Sequence, residues 1–380
     1  MRVYLDNAAT TPLDKEVFDV MAPFMLEHYG NPSSIHAHGR QVRAAIEGAR
    51  KTVAGLINAS PSEVFFTSGG TEADNLALIC TIRTLGLKHA ISSPLEHHAV
   101  LHSLEALEKT GEIQLTMLRV DANGVLDLQH LEETLVSQPR TLVSIMHANN
   151  ELGNLNDLQT IAHICQKYNA IFHSDTVQTM GHYRHDVQTL GANFLVGSAH
   201  KFHGPKGVGF IYVDSSIKIH PLIQGGSQER NMRGGTENVY GIIGLAKALE
   251  IAYRDMDEHH RHIQSLKDRM ISKLREQIED VQFNGLSAEA DKSLYTVLNV
   301  SLPASDMNEM LLFNLDINKI SASGGSACTS GVDLGSHVLR AIGTDMERGN
   351  VRFSFSKYNT IEEIDYAVAT LAKLYQKETV

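Results

Sequence analysis

A lysine and an aspartate stand where two apolar segments of the chain end. Lys201 follows the apolar run 193–197, and Asp175 closes the run 170–175, 26 positions earlier in the chain. That spacing is about one strand-helix-strand step, so we expect two neighbouring parallel strands that deliver both side chains at one edge of a sheet. A lysine amine at such an edge can capture an aldehyde as a Schiff base.

Pyridoxal phosphate needs this pair of groups. A lysine holds its aldehyde, and a carboxylate keeps its ring nitrogen protonated so that the ring can act as an electron sink. Upstream, a strand, a glycine turn and a helix start would present bare amides, with Gly70 and the Thr71 hydroxyl, at the positive end of a helix, which suits a phosphate. Ser198 and His200, just before the lysine, are further candidate phosphate donors.

Each of these signals is weak by itself. A glycine turn of this kind also begins helices that bind nothing, a single lysine is more often a surface residue, and a single aspartate is more often a helix cap. The sequence predicts a pyridoxal-phosphate site because the glycine turn, the lysine and the aspartate occur together, each just after a predicted strand.

Composition limits the class of protein. With 380 residues, 42% of them hydrophobic and 20% charged, the chain can form two globular domains. The net charge of −11, without a basic block, argues against nucleic acid or an anionic membrane as the main partner. No apolar run approaches the roughly 20 residues that span a bilayer, and no signal peptide is recognisable, so we expect a cytoplasmic protein.

Short apolar segments alternate with amphipathic ones through most of the chain, which predicts an α/β fold with a large, mostly parallel sheet covered by helices. The predicted strands are 63–66, 89–92, 114–120, 141–147, 170–175, 193–197 and 208–213. A helical stretch from about 239 to 278 is expected to lead into a smaller α+β domain. We assign 15–255 to a large cofactor-binding domain, and 1–14 with 256–380 to a small domain that carries a mobile cysteine loop at about 321–335.

Eight motifs occur in order between residue 3 and about residue 372. They are Leu5-Asp-Asn-Ala-Ala-Thr-Thr-Pro12, Gly30-Asn-Pro-Ser-Ser34, Thr67-Ser-Gly-Gly-Thr-Glu72, Glu96-His97, Asn149-Asn-Glu-Leu-Gly153, Ser198-Ala-His-Lys201, Arg233-Gly-Gly-Thr-Glu-Asn238 and Ser323-Gly-Gly-Ser-Ala-Cys-Thr-Ser330. This set resembles the cysteine desulfurases, the NifS/IscS-like branch of the class V aminotransferase superfamily. The resemblance implies the type I pyridoxal-phosphate transferase fold.

The resemblance also implies roles in cofactor binding. Lys201 would form the Schiff base with pyridoxal 5'-phosphate, Asp175 would pair with the pyridinium nitrogen, and Gln178 would bond the ring hydroxyl. His97 would stack on the ring and assist proton transfer. The remaining cofactor contacts would be Gly70, Thr71, Asn150, Ser198, His200 and, from the second subunit of a homodimer, Thr236.

The substrate-binding positions of the family are matched by Asn150 and Arg352, with the arginine fork on the carboxylate of L-cysteine. Cys328 matches the nucleophile that attacks the substrate sulfur. Independently of the resemblance, Cys328 lies in a run of small residues that suits a mobile loop, as a sulfur carrier requires. Cys80 and Cys165 lie in apolar helical patterns and are predicted to be buried core thiols.

The implied function is conversion of L-cysteine to L-alanine, with the sulfur left as a persulfide on Cys328 for an acceptor protein such as an iron–sulfur scaffold. A transaminase or selenocysteine lyase of the same superfamily is the main alternative, and it does not need Cys328. A non-catalytic scaffold would have no use for the complete set of reactive residues. A nicotinamide oxidoreductase is disfavoured because no Gly-x-Gly-x-x-Gly follows an early strand.

Two further features need a structure to interpret them. The histidine-rich segments 36–38 and 258–262 lack partners at the usual ligand spacing, so we expect solvated helix faces and no metal. After Arg352, the chain reads Phe355-Ser-Lys357 where the family pattern has Leu-Gly-Arg. The residues that surround Arg352 are therefore expected to differ from those of the family, while the role of Arg352 itself is kept.

Overall fold

The computed structural model describes residues 1–138, 140–324 and 335–375. After a short strand β1 (Val3–Tyr4), seven strands form the central sheet: β2 (Val64–Thr67), β3 (His89–Ser92), β4 (Gln114–Met117), β5 (Leu142–Ser144), β6 (Ile171–Ser174), β7 (Phe194–Ser198) and β8 (Gly209–Val213). Their spatial order is β2-β8-β7-β6-β5-β3-β4, and only β8 runs antiparallel to its neighbours. The predicted mostly parallel sheet is confirmed.

The helices associated with this sheet are α1 (Lys15–Leu26), α2 (Ala37–Leu56), α3 (Gly70–Asn75), α4 (Thr81–Leu85), α5 (His98–Lys109), α6 (Leu128–Ser137), α7 (Leu158–Lys167), α8 (Val187–Leu190) and α9 (Val239–Arg254). A π-helical turn, Leu76–Cys80, joins α3 to α4. Such turns are frequent near functional sites, and this one follows the predicted phosphate turn by one helical segment.

The rest of the described chain forms α10 (Met256–Gln277), β9 (Gln282–Phe283), β10 (Val297–Ala304), α11 (Leu311–Ile317), β11 (Ile320–Ser321), α12 (His337–Ala341), β12 (Arg348–Ser354) and α13 (Ile361–Tyr375). β12, β10 and β9 make an antiparallel sheet, while β1 pairs with β11 in parallel. Among the described helices, none has both the length and the hydrophobicity to cross a membrane.

The prediction of one helical stretch from 239 to 278 was wrong. The chain leaves helical geometry at Asp255, with φ −106° and ψ 13°, and begins a second helix there. The Asp255 side chain accepts hydrogen bonds from Arg254, and its backbone carbonyl accepts from the His259 amide. Aspartate disfavours helix interiors because its carboxylate competes with the backbone for hydrogen bonds, so it suits this junction.

The two helices belong to different apolar cores. Ile242 and Leu249 of α9 pack into the large cluster beneath the central sheet. Ile263 and Leu266 of α10 pack with the smaller antiparallel sheet and α13. The predicted division of the chain at residue 255 stays a prediction, and these clusters are consistent with it.

A buried ion pair fixes the edge of the central sheet. The Arg50 guanidinium makes two 2.8 Å hydrogen bonds to the Glu229 carboxylate, which also accepts from the Phe66 amide of β2. Both side chains are 2% exposed. Glu229 begins three consecutive non-glycine residues with φ between 43° and 66°, a costly backbone conformation. The ion pair therefore holds a strained segment that leads to Thr236.

We predict that Glu229→Gln will destabilise the protein by about 3 kcal/mol, because it removes the buried counter-ion of Arg50 and leaves that charge paired with the more exposed Glu47, 3.2 Å from its Nε. The matched control is Asp19→Asn, which breaks the exposed ion pair between Lys15 and Asp19 and should cost less than about 0.5 kcal/mol. Chemical unfolding of both variants beside the parent protein measures the difference. Equal stability of the two variants would contradict a structural role for the buried pair.

Candidate active site

A cavity of about 240 Å³ lies beyond the carboxyl ends of β6 and β7, where ligands bind in open α/β sheets. Most of the residues predicted for the site line it: Gly70, Thr71, His97, Asn150, Asp175, Gln178, Ser198, His200, Lys201 and Arg352. β6 and β7 are parallel neighbours, as predicted. The cavity therefore brings the amine of Lys201 and the carboxylate of Asp175 together.

Lys201 ends a single 3₁₀ turn that directly follows β7. Its Nζ donates hydrogen bonds to the backbone carbonyls of Ala8 and Ala9, the second at 3.0 Å. The Gln178 amide donates to the same Ala8 carbonyl at 3.2 Å. The N-terminal segment thus fixes the position of the lysine amine within the cavity.

Asp175 lies one residue beyond β6 and is 6% exposed. Burial raises the pKa of its carboxyl, while the Val177 amide, which donates to Oδ1 at 2.9 Å, and the nearby Lys201 act in the opposite direction. A cationic group inside the cavity would favour the charged carboxylate still more. A protonated ring nitrogen is such a group.

The predicted phosphate turn lies at the junction of β2 and α3. A Cβ on Gly70 would come within 2.8 Å of the Val177 side chain and 3.7 Å of the Ser198 Cβ. Only glycine allows the helix start to approach these two residues so closely, and both Gly70 and Thr71 line the cavity. His200 lies on the same wall, and burial lowers its pKa to about 4, so it is a neutral hydrogen-bonding group.

His97 caps the start of α5. Its Nδ1 accepts a hydrogen bond from the Ala99 amide at 3.1 Å, which assigns the proton of the neutral ring to Nε2. Burial, together with the charge of Lys201, lowers the pKa of His97 to about 4. The site therefore contains a neutral imidazole at neutral pH.

Arg352, on β12, reaches the cavity from the smaller sheet and is 2% exposed. Its Nη1 donates to the Asn150 carbonyl and its Nη2 to Asp6 Oδ1, each at 2.9 Å. Its Nε is buried and has no hydrogen-bond partner among the described residues. A buried donor without a partner is costly, so the guanidinium is suited to receive an anionic ligand group.

The departure from the family pattern after Arg352 has a structural explanation. Phe355 is buried in the smaller core, and Lys357 forms an ion pair with Asp14 at the start of α1. The Tyr358 hydroxyl also donates to Asp14, at 2.9 Å. These residues stabilise the junction between α1 and the smaller sheet and leave the contacts of Arg352 intact.

Two predicted site residues are not placed in the cavity. Thr236 is exposed and lines a separate pocket of about 130 Å³ with Ser68 and Arg233, so its contribution to a second subunit's site stays a prediction. Cys328 and most of the predicted loop at 321–335 lie outside the described residues.

The other two cysteines are buried, as predicted. Burial raises the pKa of the Cys80 thiol to about 11 and that of the Cys165 thiol to about 12. Thiols of this kind carry almost no thiolate at neutral pH and are poor nucleophiles. Within the ranges that the structure describes, no three His, Cys, Asp or Glu side chains are arranged to hold a metal ion.

Several residues of the cavity were not predicted from the sequence. Ala8 and Ala9 contribute backbone carbonyls, which no side-chain pattern announces. Asp74 also lines the cavity, although it is only 1% exposed, and burial next to Asp175 and Glu96 raises its pKa well above the ordinary value. Its position four residues after Gly70, on the same helix face, was the one available signal.

Comparison with known proteins agrees with the fold. The family description "Aminotransferase class-V" matches residues 3–367. The chain is 45% identical over 380 residues to the cysteine desulfurase IscS of Dictyoglomus turgidum, covering 99% of this chain and 95% of that protein. This chain belongs to the class-V aminotransferase family.

Solved structures are similar over almost the whole chain. A NifS-like protein superimposes with a TM-score of 0.90 at 37% identity, covering 98% of this chain and 99% of the other. The protein SspA, solved in complex with cysteine, gives a TM-score of 0.81 at 31% identity and covers 95% of this chain and 100% of its own. These similarities confirm the type I pyridoxal-phosphate transferase fold.

The lowered pKa of His97 predicts a pH-dependent stability. The unfolded chain binds a proton at this residue below about pH 6.5, whereas the folded chain resists it until about pH 4. Stability is therefore lost as the pH falls through this window, by about 1 to 2 kcal/mol at pH 5. His97→Asn keeps a helix-capping side chain but cannot titrate, so it should lose less stability between pH 7.5 and pH 5. Unfolding curves at both pH values test this, and equal losses in the two proteins would contradict it.

Proposed function

We propose that this protein is a pyridoxal-phosphate-dependent cysteine desulfurase that converts L-cysteine to L-alanine and passes the sulfur, as a persulfide on Cys328, to an acceptor. The observation that carries the proposal is the single cavity in which Lys201, Asp175 and an unpartnered Arg352 Nε meet. Full-length relatives named cysteine desulfurase and a similar structure with bound cysteine support the same assignment.

The residues of the cavity fit pyridoxal phosphate. Gly70, which leaves room for the helix start, would place its amide and the Thr71 hydroxyl on the phosphate, with Ser198 and His200 opposite. Asp175 would hold the ring nitrogen and Gln178 the ring hydroxyl. When bound through Lys201, the cofactor supplies an electron sink for bond changes at the substrate α-carbon.

Other side chains of the cavity bind the substrate and transfer its proton. Arg352 binds the substrate carboxylate through its unpartnered Nε, and Asn150 lies beside it on the cavity wall. His97, with its neutral ring, can hold or pass a proton at Nε2 within the cavity. Met146 and Val177 give the cavity apolar surface that limits access of water.

Sulfur transfer requires a nucleophile, and we assign it to Cys328. Its thiolate forms a bond to the substrate sulfur while the carbon–sulfur bond breaks, and the electron pair of that bond stays with the carbon fragment. A proton added to this fragment completes alanine. The high pKa values of Cys80 and Cys165, together with their burial, argue against either of them in this role.

A homodimer is part of the proposal. The exposed Thr236 is available to the phosphate site of a second copy. Its segment is joined to the phosphate turn of its own chain, because Arg233 forms an ion pair with Glu72, which in turn accepts from the Ser68 amide. The persulfide then requires an acceptor, for which an iron–sulfur scaffold or another sulfur-carrier protein is suited.

Serine variants of the three cysteines test the proposed desulfurase function. Cys328→Ser should still bind L-cysteine, because Lys201 and Asp175 are unchanged, but it should release no sulfide. The control variants Cys80→Ser and Cys165→Ser should keep their chemistry and lose about 1 to 3 kcal/mol of stability, because each places a hydroxyl in an apolar core. Sulfide and alanine production in the three variants, with persulfide mapping in the parent protein, decides the matter.

Two results would contradict the assignment. Undiminished sulfide release by Cys328→Ser would favour a lyase that does not need the thiol. A persulfide found only on Cys80 or Cys165 would exclude Cys328 as the carrier.

A further inference from the structure

The Asp6 carboxylate joins two parts of the structure that meet at the cavity. Its Oδ1 accepts a hydrogen bond from Arg352 Nη2 at 2.9 Å and another from the Ser323 hydroxyl at 2.8 Å. The Asp6 side chain is 19% exposed, so the ion pair with Arg352 is largely shielded from water. Charge-assisted hydrogen bonds of this kind are stronger than neutral ones.

The backbone holds these three residues in fixed positions. Asp6 pairs with Ser354 beside β12, and its carbonyl accepts from the Ala9 amide at 3.0 Å. Ser323 and Arg352 exchange two backbone hydrogen bonds. Asp6 is therefore anchored independently of its side-chain contacts and can act as a fixed support for the guanidinium.

The hydrogen-bond contacts of the Arg352 guanidinium show which of its N–H groups remain for a ligand. Arginine has five N–H groups in a planar fork. Asp6 and the Asn150 carbonyl each take one of them, and Nε has no partner among the described residues. The two occupied donors fix the plane of the group, and Arg352 lines the cavity in that orientation.

Asp6 forms an ion pair with Arg352 beside the cavity. Glu151 is a second acid near Arg352, and it is fully buried with one oxygen bonded to the Ser336 hydroxyl. Burial raises the pKa of Glu151, while the Ser336 hydroxyl and the charge of Arg352 act in the opposite direction. Asp6, by contrast, contacts the guanidinium directly, at 2.9 Å.

We propose that Asp6 is a positioning residue that orients Arg352 for the α-carboxylate of the substrate and thereby selects amino acids over simple aminothiols. The inference rests on the proposed function, because it assumes an amino-acid substrate. Ser323 contributes through the shared oxygen and ties this carboxylate site to the chain just before residues 325–334, which include Cys328.

The experiment compares L-cysteine with cysteamine, which has the same amine and thiol but no carboxylate. In the loaded enzyme, Asp6→Ala should raise KM for L-cysteine about tenfold, as expected for the loss of a hydrogen bond to a charged group, with kcat changed less than about twofold. The affinity for cysteamine, measured from the absorbance change of the cofactor, should be unaltered.

Two milder variants keep the test informative if Asp6→Ala folds poorly. Asp6→Asn retains an oxygen acceptor for both Arg352 and Ser323, so its KM should rise only about threefold. Ser323→Ala removes one of the two contacts of the carboxylate and should give an effect of similar size. Arg352→Ala should abolish the preference for L-cysteine over cysteamine.

The outcomes separate this inference from the proposed function. Equal weakening of L-cysteine and cysteamine in the Asp6 variants would indicate general damage and overturn the inference. A lower KM for L-cysteine would show that Asp6 only repels the substrate, and would also overturn it. If the parent enzyme did not release sulfide from L-cysteine at all, the proposed function itself would fail.

Discussion

The site depends on holding an ammonium and a carboxylate together in a cavity where Asp175 is buried and Lys201 is partly buried. Removing either charge from water is unfavourable, and their mutual attraction compensates only when the geometry is good and further hydrogen bonds are made. Lys201 gains the carbonyls of Ala8 and Ala9, while Asp175 gains the amide of Val177. Each charge therefore has at least one backbone partner besides its opposite charge, and a cationic ring in the cavity would add to the stabilisation of the Asp175 carboxylate.

The N-terminal segment makes this arrangement possible. β1 pairs with β11, the next residues reach the edge of the central sheet, and the Thr11 amide donates to the His200 carbonyl at 2.9 Å. Within this short stretch, the Asp6 side chain contacts Arg352 and the carbonyls of Ala8 and Ala9 contact Lys201. The groups proposed to bind the substrate carboxylate and the cofactor aldehyde thus share one structural support.

Much of the architecture could be predicted because strands of a parallel sheet are buried on both faces and appear as short apolar runs. β3 has the predicted bounds, and β6 and β7 end next to the predicted Asp175 and Lys201. The break at Asp255 was missed because the hydrophobic period continues on both sides of it, although the two helices pack into different cores.

The remaining site features depend on contacts that are distant in sequence. No local pattern relates Asp6 to Arg352, since 346 positions separate them, and the carbonyls of Ala8 and Ala9 have no signature in side-chain chemistry. Asp74 carries a recognisable carboxylate, but its burial follows from the packing of α3 over the sheet. These contacts could be identified only from the three-dimensional structure, which brings together segments that are far apart in the sequence.

The most direct test of the central claim is to locate the lysine that carries the cofactor. The purified protein should bind pyridoxal phosphate, and borohydride reduction should fix it irreversibly to one lysine, identified by mass spectrometry of a digest. The account predicts modification at Lys201, with none after Lys201→Ala. Modification at Lys206 instead, or at no lysine, would contradict it.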